Sequence, residues 1–184
     1  RGALDSIDAG ELEKVVLTRK LAVQLYRRPR LGQALAAVAG DYPACAQVLV
    51  HHGGTSFVSI SPERLVSVTG NAVIADGLAG SAPRAPEREA DRGLGRTLLA
   101  DAKSRREHDV VVREIRRELA RHGVSAVGQP EPELLRLPRL KHLWTLVRVT
   151  RPNNLHVLDH DDGLHNTPPD GGPPRSEAMA WMPQ

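Results

Sequence analysis

This 184-residue sequence predicts a mixed α/β fold built on a mainly antiparallel sheet, on three observations. Apolar runs of strand length come in pairs. Ala46 to His51 and Thr55 to Ile60 flank Gly53-Gly54, and Leu65 to Val68 and Asn71 to Ile74 flank Thr69-Gly70. Short glycine-containing connections of this kind join antiparallel neighbours. A long stretch from Glu87 to His122 is helical in pattern, and two more apolar runs, Leu134 to Leu140 and Leu143 to Val149, follow a Gly/Pro linker.

Taken in order, Ala3, Leu4 and Ile7 stand at helical spacing and Gly10 follows as a stop signal, so Gly2 to Ala9 is expected to end a helix. Lys14 to Leu25 is expected to be a strand, partly alternating at its far end, broken by Arg27 to Pro29. Leu31, Leu35 and Val38 share one face of a short helix that ends at Gly40. The two hairpins come next. Gly77-Leu78-Ala79-Gly80-Ser81 is small and flexible in composition and predicts a loop, continued through Pro83 to Pro86. In the helical stretch a break is expected near Gly93 and Gly95. Beyond it Val111, Ile115 and Leu119 form an i, i+4, i+8 stripe widened by Val112. The last part, Arg151 to Gln184, is dense in Pro, Gly, Asn and Asp. No internal repeat or domain boundary stands out.

Composition sets the class. Hydrophobic content of 40% and charged content of 26% are ordinary for a globular protein. Aromatic content of only 3% leaves the core to Leu, Val, Ile and Ala. A net charge of +3, with basic and acidic residues interspersed, is a weak electrostatic footprint. The arginine-rich stretch from Arg105 to Arg121 carries acidic residues throughout and lacks aromatic stacking positions, which argues against nucleic-acid binding. Cys45 is the single cysteine, so no intrachain disulfide forms and a reducing, cytoplasmic setting is expected. No apolar run approaches the ~18 residues of a membrane span. The chain opens at Arg1 without an initiator Met or signal-peptide pattern and reads as a piece of a longer protein.

Several groups carry possible chemistry. Lys14 stands at the entrance to Val15-Val16-Leu17. There it is either a rim charge with its stem on apolar surface or a desolvated amine acting as a base. Glu63, in Ser61-Pro62-Glu63-Arg64, sits at a strand mouth after a proline-fixed turn and is either an acid or a surface partner of Arg64. Gly80 and Ser81 offer close backbone approach and a hydroxyl. Lys103 and Glu107 stand at i, i+4, either as an exposed ion pair or with Glu107 free to ligate a hard cation such as magnesium. His160-Asp161-Asp162 and His165 lack a recognised metal spacing, and His51-His52 fits a turn. There is no G-x-S-x-G, P-loop or H-E-x-x-H pattern, which removes several common enzyme classes.

Five motifs in order, at compatible spacings, carry a resemblance. Glu-Leu-Glu-Lys-Val-Val-Leu-Thr-Arg (11–19), Ser-Pro-Glu-Arg-Leu (61–65), Leu-Ala-Gly-Ser-Ala-Pro-Arg (78–84), Lys-Ser-Arg-Arg-Glu-His-Asp (103–109) and Lys-His-Leu-Trp-Thr (141–145) together resemble the catalytic domain of the chorismate-utilising enzymes. Within that family the likeness is to the isochorismate synthases, and it runs to about Ala180. The resemblance implies antiparallel sheets stacked face to face with helices outside. It also implies magnesium-dependent isomerisation of chorismate to isochorismate, feeding menaquinone or a catechol siderophore. By position, Lys14 matches the lysine that activates water for attack at C2, and Glu63 the acid that protonates the departing C4 hydroxyl. Glu107 matches a magnesium ligand. Gly80, Ser81 and His142 match residues that contact substrate, with Ser81 in place of the usual threonine. Relatives that use ammonia generally lack the lysine, so Lys14 points to water as nucleophile. Chorismate is the one partner implied; no nucleic acid, membrane or obligate protein partner is.

The sequence departs from the family at His165 to Gly172, where Asn166, Pro169 and Asp170 are unusual. It also lacks the family's later Gly-Trp-Tyr-rich segment, its substrate-gripping arginine, its second magnesium glutamate and part of its upstream sheet. All of residues 1–184 are therefore expected to form an incomplete chorismate-binding catalytic domain. Two further readings stay open: a salicylate synthase, which shares the lysine, and a non-catalytic piece of the same family.

Overall fold

A computed structural model describes residues 2–11, 13, 19–121, 127–128, 131–151, 156–157 and 164. The chain divides into two compact units, Arg19–Arg64 and Arg1–Thr18 with Leu65–Gln184.

The first unit holds α2 (Leu31–Ala39) and an antiparallel hairpin of β1 (Ala46–His52) and β2 (Thr55–Ser61). Gly53 and Gly54 have φ of 55° and 81°, the doubly left-handed turn whose twist matches a two-residue hairpin. The register puts Leu49 opposite Val58 and Val50 opposite Phe57. Gln47 Nε2 donates to the carbonyls of Ala39 and Tyr42 at 3.3 and 3.4 Å, tying β1 to the end of α2. Both predicted elements are present. The strand expected from Lys14 to Leu25 is described only from Arg19 onward. Residues 14–18 lie outside the described residues, and Arg19–Leu25 is irregular. Leu21 and Val23 there are 75% and 68% exposed. Alternation alone makes no strand where no neighbour takes up the backbone N–H and C=O groups.

The larger unit is a sheet of β3 (Ser67–Thr69), β4 (Ala72–Pro83), β7 (Leu140–Thr150) and β5 (Val127–Gly128) in that order, with β6 (Glu133–Arg136) also paired to β7. All its pairings are antiparallel. Helices α1 (Ala3–Asp8), α3 (Arg88–Ala100) and α4 (Ala102–Arg121) complete it. Burial along β7 alternates strictly. Lys141, Leu143, Thr145, Val147 and Val149 are buried, while His142, Trp144 and Leu146 are half-buried on the other face. The helical stripe Val111, Val112, Ile115 and Leu119 packs on the buried face with Val73, Ala75, Val147, Val149 and Leu164, forming the core.

Three boundaries differ from those the sequence predicts. The expected loop at Gly77 to Ser81 and Pro83 is part of β4, which runs unbroken from Ala72 to Pro83. Its glycines serve close approach: a Cβ on Gly77 would stand 2.7 Å from a Val112 methyl, so glycine lets α4 lie down on the strand. The helix break falls at Asp101, not at Gly93 or Gly95. Asp101 is extended, and its carboxylate accepts the Ser104 N–H at 2.7 Å, starting a new helix in the manner of an N-cap. Gly95 stays helical, where a Cβ would meet a Leu134 methyl at 2.8 Å. The predicted strand Leu134 to Leu140 ends at Arg136, and β7 begins at Leu140.

Candidate active site

Strand β4 changes register between Ala79 and Ser81, where Gly80 adopts φ 78°. This bulge leaves Ser81 directly opposite His142 of β7. Ser81 Oγ and His142 Nδ1 are 2.8 Å apart, a hydrogen bond between residues 61 apart in sequence. Burial lowers the pKa of His142, partly offset by a hydrogen bond with the Gly80 backbone, so the ring is neutral at pH 7. On the same sheet face, Trp144 Nε1 donates to Asp76 Oδ1 at 3.1 Å.

The bulge is also where α4 docks. A Cβ on Gly80 would stand 3.1 Å from Ser104 Cβ, and Ser104 lies one turn before Glu107. Glu107 is 38% exposed, with its carboxylate 3.9 Å from Lys103 Nζ. Such an exposed i, i+4 pair contributes at most ~0.5 kcal/mol, so it does not close the carboxylate to a competing cation. Magnesium takes one or two protein carboxylates and completes its shell with water and substrate oxygens. Glu107 fits as one such ligand; among the described residues no cluster of three acidic, His or Cys side chains accompanies it.

Gly80, Ser81, His142 and Glu107 thus all belong to the larger unit. Glu63 belongs to the smaller one, exposed, with its backbone N–H donating to Ser61 Oγ at 3.2 Å. Lys14 lies outside the described residues. Glu13, just before it, accepts a hydrogen bond from Arg113 and so is held against α4.

His108 was not legible as a site neighbour. It is 1% exposed, and its Nε2 lies 2.8 Å from Thr145 Oγ1, joining α4 to β7 beside Glu107. The available signal was its place one turn before Val111 and Val112 on the buried stripe. Burial dominates its environment and lowers its pKa. Above about pH 6.5, the ordinary histidine value, His108 and His142 are neutral in both folded and unfolded chains. Below it the unfolded chain takes up protons that the fold resists, so stability falls as pH falls. Urea midpoints measured from pH 8 to pH 5 are expected to decline more steeply in the wild-type chain than in His108→Gln.

A cleft of about 500 Å³ follows the other flank of α4, lined by His108, Asp109, Arg113, Arg116 and Arg117 with Thr145 at its base. At 100° per residue Asp109, Arg113 and Arg116 lie roughly 120–180° around the helix from Glu107, while His108 and Arg117 flank it. Arg113 and Arg117 are paired there with Glu13 and Glu114.

Comparison with known proteins gives a consistent picture. The chain is 32% identical over 178 residues to the isochorismate synthase MenF of Bacillus subtilis, covering 96% of this chain and 38% of that protein. It is 34% identical over 187 residues to the salicylate biosynthesis isochorismate synthase of Pseudomonas aeruginosa, covering 99% of this chain and 38% of that one. The crystal structure of DhbC from Bacillus anthracis superposes with a TM-score of 0.84 at 26% identity, over 97% of this chain and 49% of that one. The chain therefore spans less than half the length of each of these relatives. The sequence profile of the family described as "Chorismate binding enzyme" matches residues 1–184, and the chain belongs to that family.

Proposed function

We propose that this chain is part of an isochorismate synthase, which isomerises chorismate to isochorismate by adding water at C2 and expelling the C4 hydroxyl. The observation that supports it best is the Ser81–His142 pair set at a bulge on which the Glu107 helix is seated, in a chain similar along its length to isochorismate synthases. In this reading Lys14 takes a proton from the attacking water and Glu63 gives one to the leaving hydroxyl. Gly80 presents backbone to the substrate, and Ser81 and the neutral His142 hydrogen-bond it. Glu107 holds Mg²⁺, which when bound offsets the charge of the dianionic substrate and fixes its orientation.

The route served is menaquinone or siderophore synthesis, since one structural relative is named menaquinone-specific and one sequence relative vibriobactin-specific. The setting proposed is the cytoplasm, without an obligate protein partner. No helix among the described residues is long and apolar enough to cross a membrane.

The test is incubation of the chain with chorismate and Mg²⁺, with products resolved by chromatography and chorismate binding followed by calorimetry. Isochorismate is the expected product. Salicylate with pyruvate would reassign the activity to a salicylate synthase, and neither turnover nor binding would overturn the reading for this chain.

A further inference from the structure

Beyond its bulge, β4 has only Ser81, Ala82 and Pro83 left to pair, with His142, Lys141 and Leu140. Pro83 has no N–H to give, so the ladder that fixes Ser81 opposite His142 is short. A one-residue slip would turn Ser81 to the other face of the sheet.

Directly past this point three elements converge on one carboxylate. Asp91 Oδ1, in the first turns of α3, accepts Arg84 Nε at 2.9 Å, the Ala85 N–H at 3.0 Å and Lys141 Nζ at 2.8 Å. Lys141 Nζ also donates to the Asp91 carbonyl. Arg84 reaches back to the β6–β7 turn, its Nη1 on the Leu137 carbonyl at 2.8 Å and its backbone N–H on that of Arg139 at 3.1 Å. Lys141 is 1% exposed, among the most buried side chains described. These donors hold the Asp91 carboxyl well below the usual carboxylate range, so the anion persists at any working pH.

We propose that Lys141, Asp91 and Arg84 are positioning residues that clamp the end of the β4–β7 ladder and thereby hold the Ser81–His142 pair in register. Lys141 precedes His142 and points to the opposite face of β7, so fixing the ammonium on Asp91 fixes the face on which His142 stands. Arg84 follows Ser81 by three residues and anchors the other strand to the same carboxylate. Removing the Asp91 charge leaves two cations facing each other, one of them buried, and the end of the ladder opens to separate them. The consequence for turnover rests on the proposed placing of Ser81 and His142 in the substrate pocket; the geometry of the clamp does not.

The experiment is an NMR pH titration of the His142 ring, assigned with His142→Gln, in the wild-type chain, Asp91→Asn, Arg84→Gln and Leu98→Ala. Leu98 is a buried residue of α3 about two turns beyond Asp91 and makes no hydrogen bond to its carboxylate, so its truncation reports general destabilisation. The wild-type ring is expected to titrate below 6.5. Asp91→Asn is expected to raise the midpoint toward 6.5 as the ring is exposed, and Arg84→Gln to raise it less, having removed one donor of three. Leu98→Ala is expected to lower the urea midpoint and leave the ring's titration in place. An unmoved midpoint in Asp91→Asn, or an equal shift in Leu98→Ala, overturns the proposal. Should Asp91→Asn not fold, Arg84→Gln against Leu98→Ala decides it. Chorismate is not used, so this result stands or falls apart from the proposed activity.

Discussion

Replacing Lys14 by alanine is expected to reduce isochorismate formation by about 10²–10⁴-fold, the contribution of a positioned general base, while chorismate still binds. A lysine at its ordinary pKa of about 10.4 is almost wholly protonated at pH 7, and neutralising it there costs roughly 4.6 kcal/mol. A base at this position therefore needs desolvation or a nearby cation to shed its proton. The apolar residues Val15-Val16-Leu17 that follow it in sequence and magnesium on the substrate are the means the proposed mechanism offers. The neighbouring Glu13 is anchored by Arg113, nearly two turns beyond Glu107 on α4, so the chain entering Lys14 is tied to the helix that carries the proposed metal ligand. Arginine should not rescue, because a guanidinium does not deprotonate in this range. The measurement is kcat and KM with chromatographic product analysis. A Lys14→Ala or Lys14→Arg enzyme with wild-type kcat would remove Lys14 from the chemistry and return it to a rim charge.

The elements most legible in the sequence were those whose pattern and packing agree. The stripe Val111, Val112, Ile115 and Leu119 is the helix face of the core, and Gly53-Gly54 makes the turn its composition predicts. Legibility failed where a tertiary partner overrides a local signal. Gly77 to Ser81 has loop composition, yet it is strand because β7 supplies the hydrogen bonds and α4 needs the missing Cβ atoms. Lys141 and His142 interrupt the apolar pattern between Leu140 and Leu143, yet β7 runs through them. A buried lysine is tolerated there only because Asp91 reaches it from another element, which no local window reveals. The candidate site shows the same division. Ser81, His142 and Glu107 stand in motifs visible in the sequence, but the pairing of Ser81 with His142 follows from register, and the seating of α4 follows from the space at Gly80. Asp76 lies outside the five motifs, and His108, although inside the 103–109 motif, stands at ordinary core spacing on the buried helix face.

Truncating Leu143 to alanine is expected to cost about 2–5 kcal/mol, read as a fall in the urea midpoint without a change in slope. Leu143 is fully buried on the helix face of β7, between His142 and Trp144, and its Cδ1 lies 3.3 Å from where a Gly80 Cβ would stand. That contact makes a second, sharper expectation possible. Gly80→Ala alone should pay twice. A left-handed φ of 78° costs a non-glycine residue about 1–2 kcal/mol, and the new methyl must also displace Leu143 and Ser104. In the Leu143→Ala background the first part remains and the Leu143 share of the second vanishes, so the combined cost should fall short of the sum by about 0.5–3 kcal/mol. Ser104 Cβ, bonded directly to the α4 backbone and 3.1 Å from where the new methyl would stand, cannot retreat without moving the helix, and it keeps the double variant below Leu143→Ala. Strict additivity would mean that Leu143 does not press on the bulge, and that the position of Ser81 is set by the ladder and its clamp alone.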